Sequence, residues 1–252
     1  MTSDAAALRE RLRPHVETAR DFTGWTFDYE PRRIGPPKPW SYSGRAREFL
    51  RDASSVLDLG TAAGERFGTL LDGYAGRAVA TEEWHVNAPL AARHLHSLGG
   101  DAVRALSITL PFGDDAFDLI LSRQEQLDPF EVARILTSGG SVLTQQIDDL
   151  WWFEMRDFFP RWQSFGDHFH YYAAGYIAAG LAVTDARRHL DTHAYKFEEA
   201  IKHLCRVPWY LPGFDPLGRD FDAVEALYRM TNSDGELLVT NAVYILEARK
   251  PK

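Results

Sequence analysis

The sequence predicts an α/β protein with a Rossmann-like, doubly wound and mostly parallel seven-stranded sheet, an antiparallel last strand and a helical insertion before that strand. Three observations predict this fold. From Ser54 onward, short apolar runs alternate with helical segments; the first run leads into a tight cluster of small residues; and residues 191–235 separate two final strands that should pair with each other. Strands that alternate with helices form a parallel sheet with helices on both faces.

Residues 1–53 are predicted to form a helical and extended cap segment before the core. Apolar residues recur at helical spacing from Leu8 to Val16, and Pro14 is expected to kink or break that helix. The stretch YEPRRIGPPKPWSYSG (29–44) contains too many prolines and glycines for regular structure, so an extended surface segment is expected. A second helix is predicted to follow it.

Residues 54–190 are predicted to form the core. Its strands are predicted from short runs rich in apolar and β-branched residues, and its helices from the segments between them. The predicted strands are SVLDLG, RAVATE, AVRALS, FDLILS, SVLTQQI and LAVTDARRHL, and the predicted helices are 65–71, APLAARHLHSLG, DPFEVARIL and 167–179. The glycines of TSGG are expected to end the helix before the fifth strand.

Residues 191–235 are predicted to be the helical insertion, and residues 236–252 contain the final core strand, ELLVTNAVYILEAR. Aromatic residues make up 13% of the chain and concentrate in its second half. An aromatic-lined cavity, an ordinary core and a homodimer face each explain that concentration, and all three stay open. We interpret the insertion as a lid over an apolar pocket on the strength of four aromatics, Trp209, Tyr210, Phe214 and Tyr228.

Charge and cysteine content limit the partners and the cellular compartment that we expect for this protein. The formal net charge is −8, with 36 acids against 28 Lys and Arg, so the overall field repels polyphosphates and nucleic acid is a disfavoured partner. One cysteine, Cys205, excludes an internal disulfide framework and favours a reducing compartment. The sequence has no signal-peptide pattern, and no apolar run approaches about 18 residues. A cytoplasmic protein without a membrane partner is expected.

The turn after the first core strand predicts a ligand site. Gly60 and Gly64 let the backbone approach a ligand, and the first strand-to-helix turn of a doubly wound sheet is the usual binding place. A dinucleotide fingerprint would need glycines where the chain has Ala62 and Glu65, and an acid at 65 opposes a pyrophosphate. The glycines could instead serve helix-to-sheet packing alone.

The second predicted strand ends at Glu82, 22 residues after Gly60, about the offset at which an acid accepts hydrogen bonds from ribose hydroxyls. A solvated strand end is the alternative for this glutamate. A glycine turn and a ribose acid without phosphate chemistry indicate an adenosine that carries something other than phosphate. S-adenosyl-L-methionine has that shape.

Four segments resemble, in order and spacing, successive motifs of class I S-adenosylmethionine-dependent methyltransferases of the small bacterial, type 11-like kind. They are VLDLGTAAGERF, AVATEE, LPFGDDAFDLILSR and EVARILTSGGSVLTQQI. The resemblance covers residues 54–147, and the tail from VPWYLPGF to ARKP is also similar to bacterial members. It implies an enzyme that uses S-adenosyl-L-methionine.

The resemblance also implies roles at individual positions. Asp58 would organise the turn, and the methionine moiety would lie against Gly60, Thr61, Ala62 and Gly64. The remaining implied contacts are Glu82 to the ribose, Glu83 and Trp84 beside the adenine, backbone near Leu106 and Ser107, Ser122 from the substrate side, and Tyr42 from the segment before the core. Leu106 stands where the family often has an acid. Packing is an equal alternative for Tyr42 and Trp40.

Methyl transfer from a sulfonium depends mainly on positioning and exclusion of water, so a dedicated catalytic residue is optional. Candidate catalytic residues are His168, on one helix face with Tyr172; Glu125, just past the fourth strand; and Arg123 at that strand's end. Core packing for His168 and a loop ion pair for Glu125 are the alternatives. Metal-dependent catechol-type relatives place a carboxylate right after the fourth strand, where this chain has Ser122 and Arg123, so no metal is expected.

The fourth strand also bears on the acceptor. Enzymes that methylate adenine amines have an Asn or Asp followed by Pro-Pro and an aromatic at this position, and SRQEQ does not resemble that pattern. We therefore expect a small, aromatic or polycyclic acceptor methylated at O, or alternatively at N or C. Two rival interpretations are RNA methylation, using a local patch of Arg187, Arg188 and Lys196, and a protein that binds the cofactor without transferring its methyl group.

Overall fold

An eight-stranded mixed sheet organises residues 3–252, the part of the chain that the computed structural model describes. The strands, in chain order, are β1 (Arg32–Ile34), β2 (Ser55–Leu59), β3 (Arg77–Thr81), β4 (Asp101–Val103), β5 (Phe117–Arg123), β6 (Leu136–Ile147), β7 (Ala182–Lys196) and β8 (Glu236–Arg249). They are arranged β1-β7-β8-β6-β5-β2-β3-β4. Strands β2 to β6 pair in parallel, whereas β8 is antiparallel to both β6 and β7. The predicted Rossmann-like architecture with its antiparallel last strand is confirmed.

The predicted count of seven strands is corrected to eight. The additional strand, β1, pairs antiparallel with β7 at the sheet edge, so that Arg32 lies opposite Ala194. It falls within the proline-rich segment predicted to be extended. Three residues between prolines carry no alternation of apolar and polar side chains, so the pairing depends on the neighbouring strand rather than on a local pattern.

Eight α-helices accompany the sheet within residues 3–252: α1 (Ser3–Arg20), α2 (Tyr42–Leu50), α3 (Glu65–Leu70), α4 (Ala88–His96), α5 (Pro129–Ile135), α6 (His168–Ala178), α7 (Phe197–Arg206) and α8 (Phe221–Tyr228). A 3₁₀ helix covers Phe153–Asp157. Side-chain caps explain three of the starts. The Ser41 hydroxyl accepts a hydrogen bond from the Gly44 amide (3.1 Å) at the start of α2. Asp128 accepts hydrogen bonds from the Phe130 and Glu131 amides, and Asp167 accepts one from the His170 amide.

The expected break at Pro14 does not occur, because α1 continues through it to Arg20. The Thr18 hydroxyl donates to the Pro14 carbonyl (2.7 Å), and Leu8, Leu12 and Val16 are buried in the same core cluster as α7. Burial of this apolar face therefore outweighs the backbone hydrogen bond that the proline removes.

Three buried clusters hold these elements together. One packs α5 and α6 on one face of the sheet, and a second packs α2, α3 and α4 on the other face. The third joins α1, α7 and α8 to the outer part of the β7–β8 hairpin and buries much of the aromatic content, including Trp151 and Trp152. Strand β7, predicted to end at Leu190, continues to Lys196 along β8. Among the helices of residues 3–252, none is both long enough and apolar enough to span a membrane.

Strand β2 marks the point where the strand order reverses. From β2 the chain passes outward to β3 and β4 on one side, then returns to add β5 and β6 on the other side. In an open α/β sheet, such a reversal leaves a crevice at the carboxyl ends of the strands, between the connections that leave in opposite directions. The fold therefore places a crevice where β2, β3 and β5 end.

Candidate functional site

A cleft of about 960 Å³ occupies this crevice. Ten of the residues predicted from the sequence to bind cofactor or to act in catalysis line it: Tyr42, Asp58, Gly60, Thr61, Ala62, Glu82, Glu83, Leu106, Arg123 and Glu125. They come from five separate regions of the chain. The structure thus brings together, at one edge of the sheet, side chains that are up to 83 positions apart in the sequence.

The turn after β2 has a strained, left-handed backbone. Gly60 has φ 64° and Ala62 has φ 56°, and the Thr61 amide donates to the Thr81 carbonyl at the end of β3 (2.9 Å). A Cβ built on Gly60 would overlap the Cγ, Cδ and Oε2 of Glu125, so only glycine lets that side chain lie against the turn. Strain of this kind is concentrated at binding sites because the surrounding structure has to maintain it.

Comparing Gly60→Ala with Gly73→Ala measures the loss of unfolding free energy that comes from the contact between Gly60 and Glu125. Both glycines have positive φ, but a Cβ on Gly73 would meet nothing within 4 Å. Gly73→Ala should cost roughly 1–2 kcal/mol of unfolding free energy from the left-handed backbone alone. Gly60→Ala should cost about 1–3 kcal/mol more, because Glu125 must move. Urea denaturation measures both, and equal losses would contradict this placement of Glu125.

Glu82 holds the tips of β2 and β3 together. Its side chain is 7% exposed, and its two oxygens accept hydrogen bonds from the backbone amides of Ala62 and Trp84, each at 2.8 Å. Burial raises the pKa of this carboxyl, and the two amide hydrogen bonds oppose that rise. A carboxylate fixed in this way has further lone pairs that can accept hydrogen bonds from a ligand in the cleft.

Two more carboxyls share the cleft and have raised pKa values. Burial raises the pKa of Asp58 to about 7, although Arg66 and Arg123 oppose the shift. Burial also raises the pKa of Glu125 to about 7, and the negative charges of Glu83, Glu82 and Asp58 add to the effect. The cleft therefore concentrates acidic groups that a cation would stabilise in their charged form.

The Tyr42 hydroxyl is a buried polar atom that lacks a partner. Its side chain begins α2, lines the cleft and is 5% exposed, and the hydroxyl makes no hydrogen bond within residues 3–252. Burial raises the pKa of this phenol well above its usual range, so the hydroxyl keeps its proton. A buried donor without a partner is costly unless a ligand or water satisfies it.

A segment before β1 covers one side of the cleft, which the sequence analysis did not predict. We call residues 22–29 (FTGWTFDY) the strap. The Gly24 amide donates to Asn87 Oδ1 and the Trp25 amide to Glu65 Oε1, both at 2.8 Å. The Trp25 ring stacks on Trp209, with centroids 5.5 Å apart. The density of aromatics around a glycine in this non-helical stretch is the sequence signal that could have pointed to it.

Trp209 lines the cleft, as do Cys205 and Arg206, so part of the predicted lid contributes to its wall. The other aromatics named for the lid, Tyr210, Phe214 and Tyr228, pack instead against the cluster formed by α1, α7 and α8. The aromatic content of this region therefore serves both the cleft and the core.

Four predicted site residues do not line the cleft. The α-carbon of Gly64 faces α4, where an added Cβ would lie 3.0 Å from Leu95 Cγ and 3.2 Å from His94 Cδ2. Ser107 is buried beside Glu125, and Ser122 is fully buried and accepts a hydrogen bond from Gln146 Nε2 (3.2 Å). His168 lies on α6 against Tyr171 and Tyr172. The structure thus places these side chains in packing or supporting positions.

In the described part of the chain, the start of α3 does not offer free backbone donors to a phosphate. Glu65 Oε2 accepts from the Ala63 amide (3.1 Å), and its other oxygen accepts from Trp25, so a carboxylate already occupies the start of α3. Glu82 offers acceptors, Gly60 offers a close approach and Tyr42 offers an unsatisfied donor. Within residues 3–252, no three His, Cys, Asp or Glu side chains come together in a way that could hold a metal ion.

Comparison with solved structures places the chain in a known fold. A candidate methyltransferase from Bacillus halodurans C-125 is 13% identical and matches with TM-score 0.57 over 83% of this chain and 100% of that one. A protein of unknown function from Deinococcus radiodurans R1 is 14% identical and matches with TM-score 0.63 over 94% and 99%. The [4+2]-cyclase SpnF is 16% identical and matches with TM-score 0.54 over 97% and 94%.

No family model matches the sequence, and no curated protein matches it. The structural matches show that the chain has the fold of class I S-adenosylmethionine-dependent methyltransferases. The fold predicted from the sequence motifs is thereby confirmed.

Proposed function

We propose that this protein transfers a methyl group from S-adenosyl-L-methionine to a small acceptor without using a metal. The observation that supports this most strongly is the cleft itself. It combines a glycine turn after β2 with a buried carboxylate at the end of β3 and has acidic groups where a phosphate would need donors. The shared fold agrees with the proposal. Because a cyclase also has this fold, the fold alone does not identify the reaction, and the proposal rests on the side chains of the cleft.

In this proposal, residues at the ends of β2 and β3 bind successive parts of the cofactor. Glu82 accepts hydrogen bonds from the ribose hydroxyls, and the open α-carbon of Gly60 allows the methionine portion to approach. Glu83 and Trp84 lie beside the base, with Leu106 across from them; Leu106 is 51% exposed in the described chain and would be covered by the ligand. When bound, the cofactor supplies a methyl group already activated on a sulfonium.

Glu125 is the best-placed candidate for a general base. Its side chain lies in the cleft against Gly60, and its pKa near 7 suits removal of a proton at neutral pH. Its backbone is anchored, because the Glu125 carbonyl accepts a hydrogen bond from Gln146 Nε2 (2.8 Å). His168, outside the cleft, is the weaker candidate. A hydroxyl or protonated amine on the acceptor would require such a base.

The dimensions and charge of the site favour a small acceptor over RNA. Aromatic rings of Phe22, Trp25 and Trp209 line one wall of the cleft. The patch named for RNA is already neutralised. Each of its three cations faces a carboxylate: Arg187 faces Asp185 (2.5 Å), Arg188 faces Asp148 (2.8 Å) and Lys196 faces Glu236 (3.9 Å). Paired cations attract a phosphate backbone less than free ones do.

Incubation with methyl-labelled S-adenosylmethionine and separate pools of small metabolites and RNA tests the proposed function. We expect label in small organic products, with formation of S-adenosylhomocysteine in equal amount. Label in RNA would support the rival methyltransferase, and tight cofactor binding without turnover would support the non-catalytic interpretation. Failure to bind the cofactor in calorimetry would contradict the proposal.

The affinity for S-adenosylmethionine is expected to rise as the pH increases from 6 to 8. In the free protein, Asp58 and Glu125 have pKa values of about 7, and a cationic ligand favours their deprotonated forms. At pH values below the pKa of the free protein, a carboxyl that must lose its proton when the cofactor binds makes the affinity rise by about tenfold per pH unit. The rise ends above that pKa. S-adenosylhomocysteine, which lacks the sulfonium charge, should show a smaller rise. Titration calorimetry at several pH values measures both, and a pH-independent affinity would contradict this coupling.

A further inference from the structure

Arg123 is a cation without an ion-pair partner at the end of β5. Its side chain lines the cleft and is half-buried, yet within residues 3–252 it makes neither an ion pair nor a side-chain hydrogen bond. Burial and the charge of Arg66 lower its pKa to about 10, so it stays protonated at neutral pH. A half-buried guanidinium without a paired carboxylate is unfavourable in the free protein, and an anionic ligand would compensate it.

Two more cations lie near Arg123. Lys38 donates to Gln145 Oε1 (2.9 Å), and Gln145 is the residue opposite Arg123 in the β5–β6 pairing. Burial, together with the charges of Arg123 and Arg66, lowers the pKa of Lys38 to about 8. Within the described residues, Lys38 and Arg66 also form no ion pair; Arg66 makes a long hydrogen bond to Ser43 (3.4 Å).

Two carboxyls act on these cations without forming an ion pair with them, Asp58 on Arg123 and Asp191 on Lys38. Asp58 is the carboxyl whose field reaches Arg123, and with a pKa of about 7 it is only partly ionised at neutral pH. The methionine carboxylate of the cofactor can neutralise one cation. With that carboxylate, Asp191 and a partly ionised Asp58 set against the three cations, this side of the cleft stays net positive, next to the unsatisfied Tyr42 hydroxyl.

We propose that the methyl acceptor carries a carboxylate, which Arg123 binds with Lys38 beside it and the Tyr42 hydroxyl as an added donor. The inference rests on the proposed function and names the substrate class of the same site. This carboxylate anchors the acceptor, and the methyl group is transferred to a different atom of the acceptor. The aromatic rings of Phe22, Trp25 and Trp209 on the cleft wall suit an aromatic body for this acid.

Matched acid and amide probes test the carboxylate site by calorimetry. The pairs are benzoate with benzamide, indole-3-acetate with indole-3-acetamide, and 1-naphthoate with 1-naphthamide, each added to protein with and without saturating S-adenosylhomocysteine. At least one acid should bind about tenfold more tightly than its amide. Arg123→Gln should abolish that preference and change the affinity for S-adenosylhomocysteine less than about twofold. Arg93→Gln, the same change at an exposed position of α4, should keep the preference.

Three outcomes would overturn the proposal. They are equal affinity of acid and amide in every pair, an acid preference that persists in Arg123→Gln, or a loss of about tenfold or more in affinity for S-adenosylhomocysteine in that variant. The last result would assign Arg123 to the carboxylate of the cofactor. A protein that does not bind S-adenosylhomocysteine at all would contradict the proposed function instead, and the probes added without cofactor would still test the carboxylate site.

Discussion

Replacing Glu125 with glutamine is expected to slow methyl transfer by about 10²–10⁴-fold, the range in which a positioned general base contributes. The carboxylate lies in the cleft against Gly60, and its pKa is raised to about 7 mainly by burial. Glutamine keeps the shape and the hydrogen-bonding reach of the side chain but cannot accept the proton. The affinity for S-adenosylmethionine should therefore change much less than the rate of transfer.

The pH profile separates this role from a structural one. In the parent protein the single-turnover rate should rise with pH and level off below about 7, because the base must be deprotonated and the bound cationic cofactor lowers its pKa from the free value of about 7. Glu125→Gln should lose that dependence. Glu225→Gln, on α8 and paired with Arg229 (3.0 Å), is the matched control and should keep the parent's rate and profile. A Glu125→Gln protein with the parent's profile would show that the reaction needs no base at this position.

Glu82→Ala is expected to weaken S-adenosylmethionine binding by about 2–4 kcal/mol, or roughly 30- to 1,000-fold. The substitution removes the acceptors for the ribose hydroxyls. It also leaves the Ala62 and Trp84 amides without the carboxylate that holds both tips in place. Hydrogen bonds to a charged group are worth more than neutral ones, and a buried amide without a partner adds its own cost.

Calorimetric titration of S-adenosylmethionine checks this second expectation. Glu82→Gln should give an intermediate loss, because the amide oxygen still accepts one hydrogen bond. Glu48→Ala, at an exposed position of α2, serves as the control and should bind the cofactor as the parent does. If Glu82→Ala binds S-adenosylmethionine as tightly as the parent does and thermal unfolding shows an intact fold, the ribose does not bind at this end of β3.

The local pattern of the chain was enough to predict the strands of the core and the turn after the first of them. Strand β8 was predicted with the bounds that the structure has, Glu236–Arg249, because it is a long apolar run between turn signals. The expected break at Pro14 and the end of β7 at Leu190 were wrong. In both places the burial of a face against a distant element outweighs the local preference.

The same division applies to the candidate site. The sequence placed Asp58, Gly60 and Glu82 at the end of their strands, and parallel strands bring such ends together at one edge. It offered two interpretations of Gly64, and the structure shows this glycine packed against α4. It named His168 and Glu125 together as candidate bases, whereas in the folded chain only Glu125 lies in the cleft.

The sequence by itself determined the alternation of strands and helices, the small-residue turn and the acid at the tip of the neighbouring strand, because each depends on residues close together in the chain. Tertiary structure alone decided that the strap lies over the cleft through Gly24 and Asn87, that Trp25 meets Trp209, and that Arg123 forms no ion pair among residues 3–252. These contacts join positions more than 60 residues apart, and hydrophobic periodicity contains no information about which distant side chains will meet.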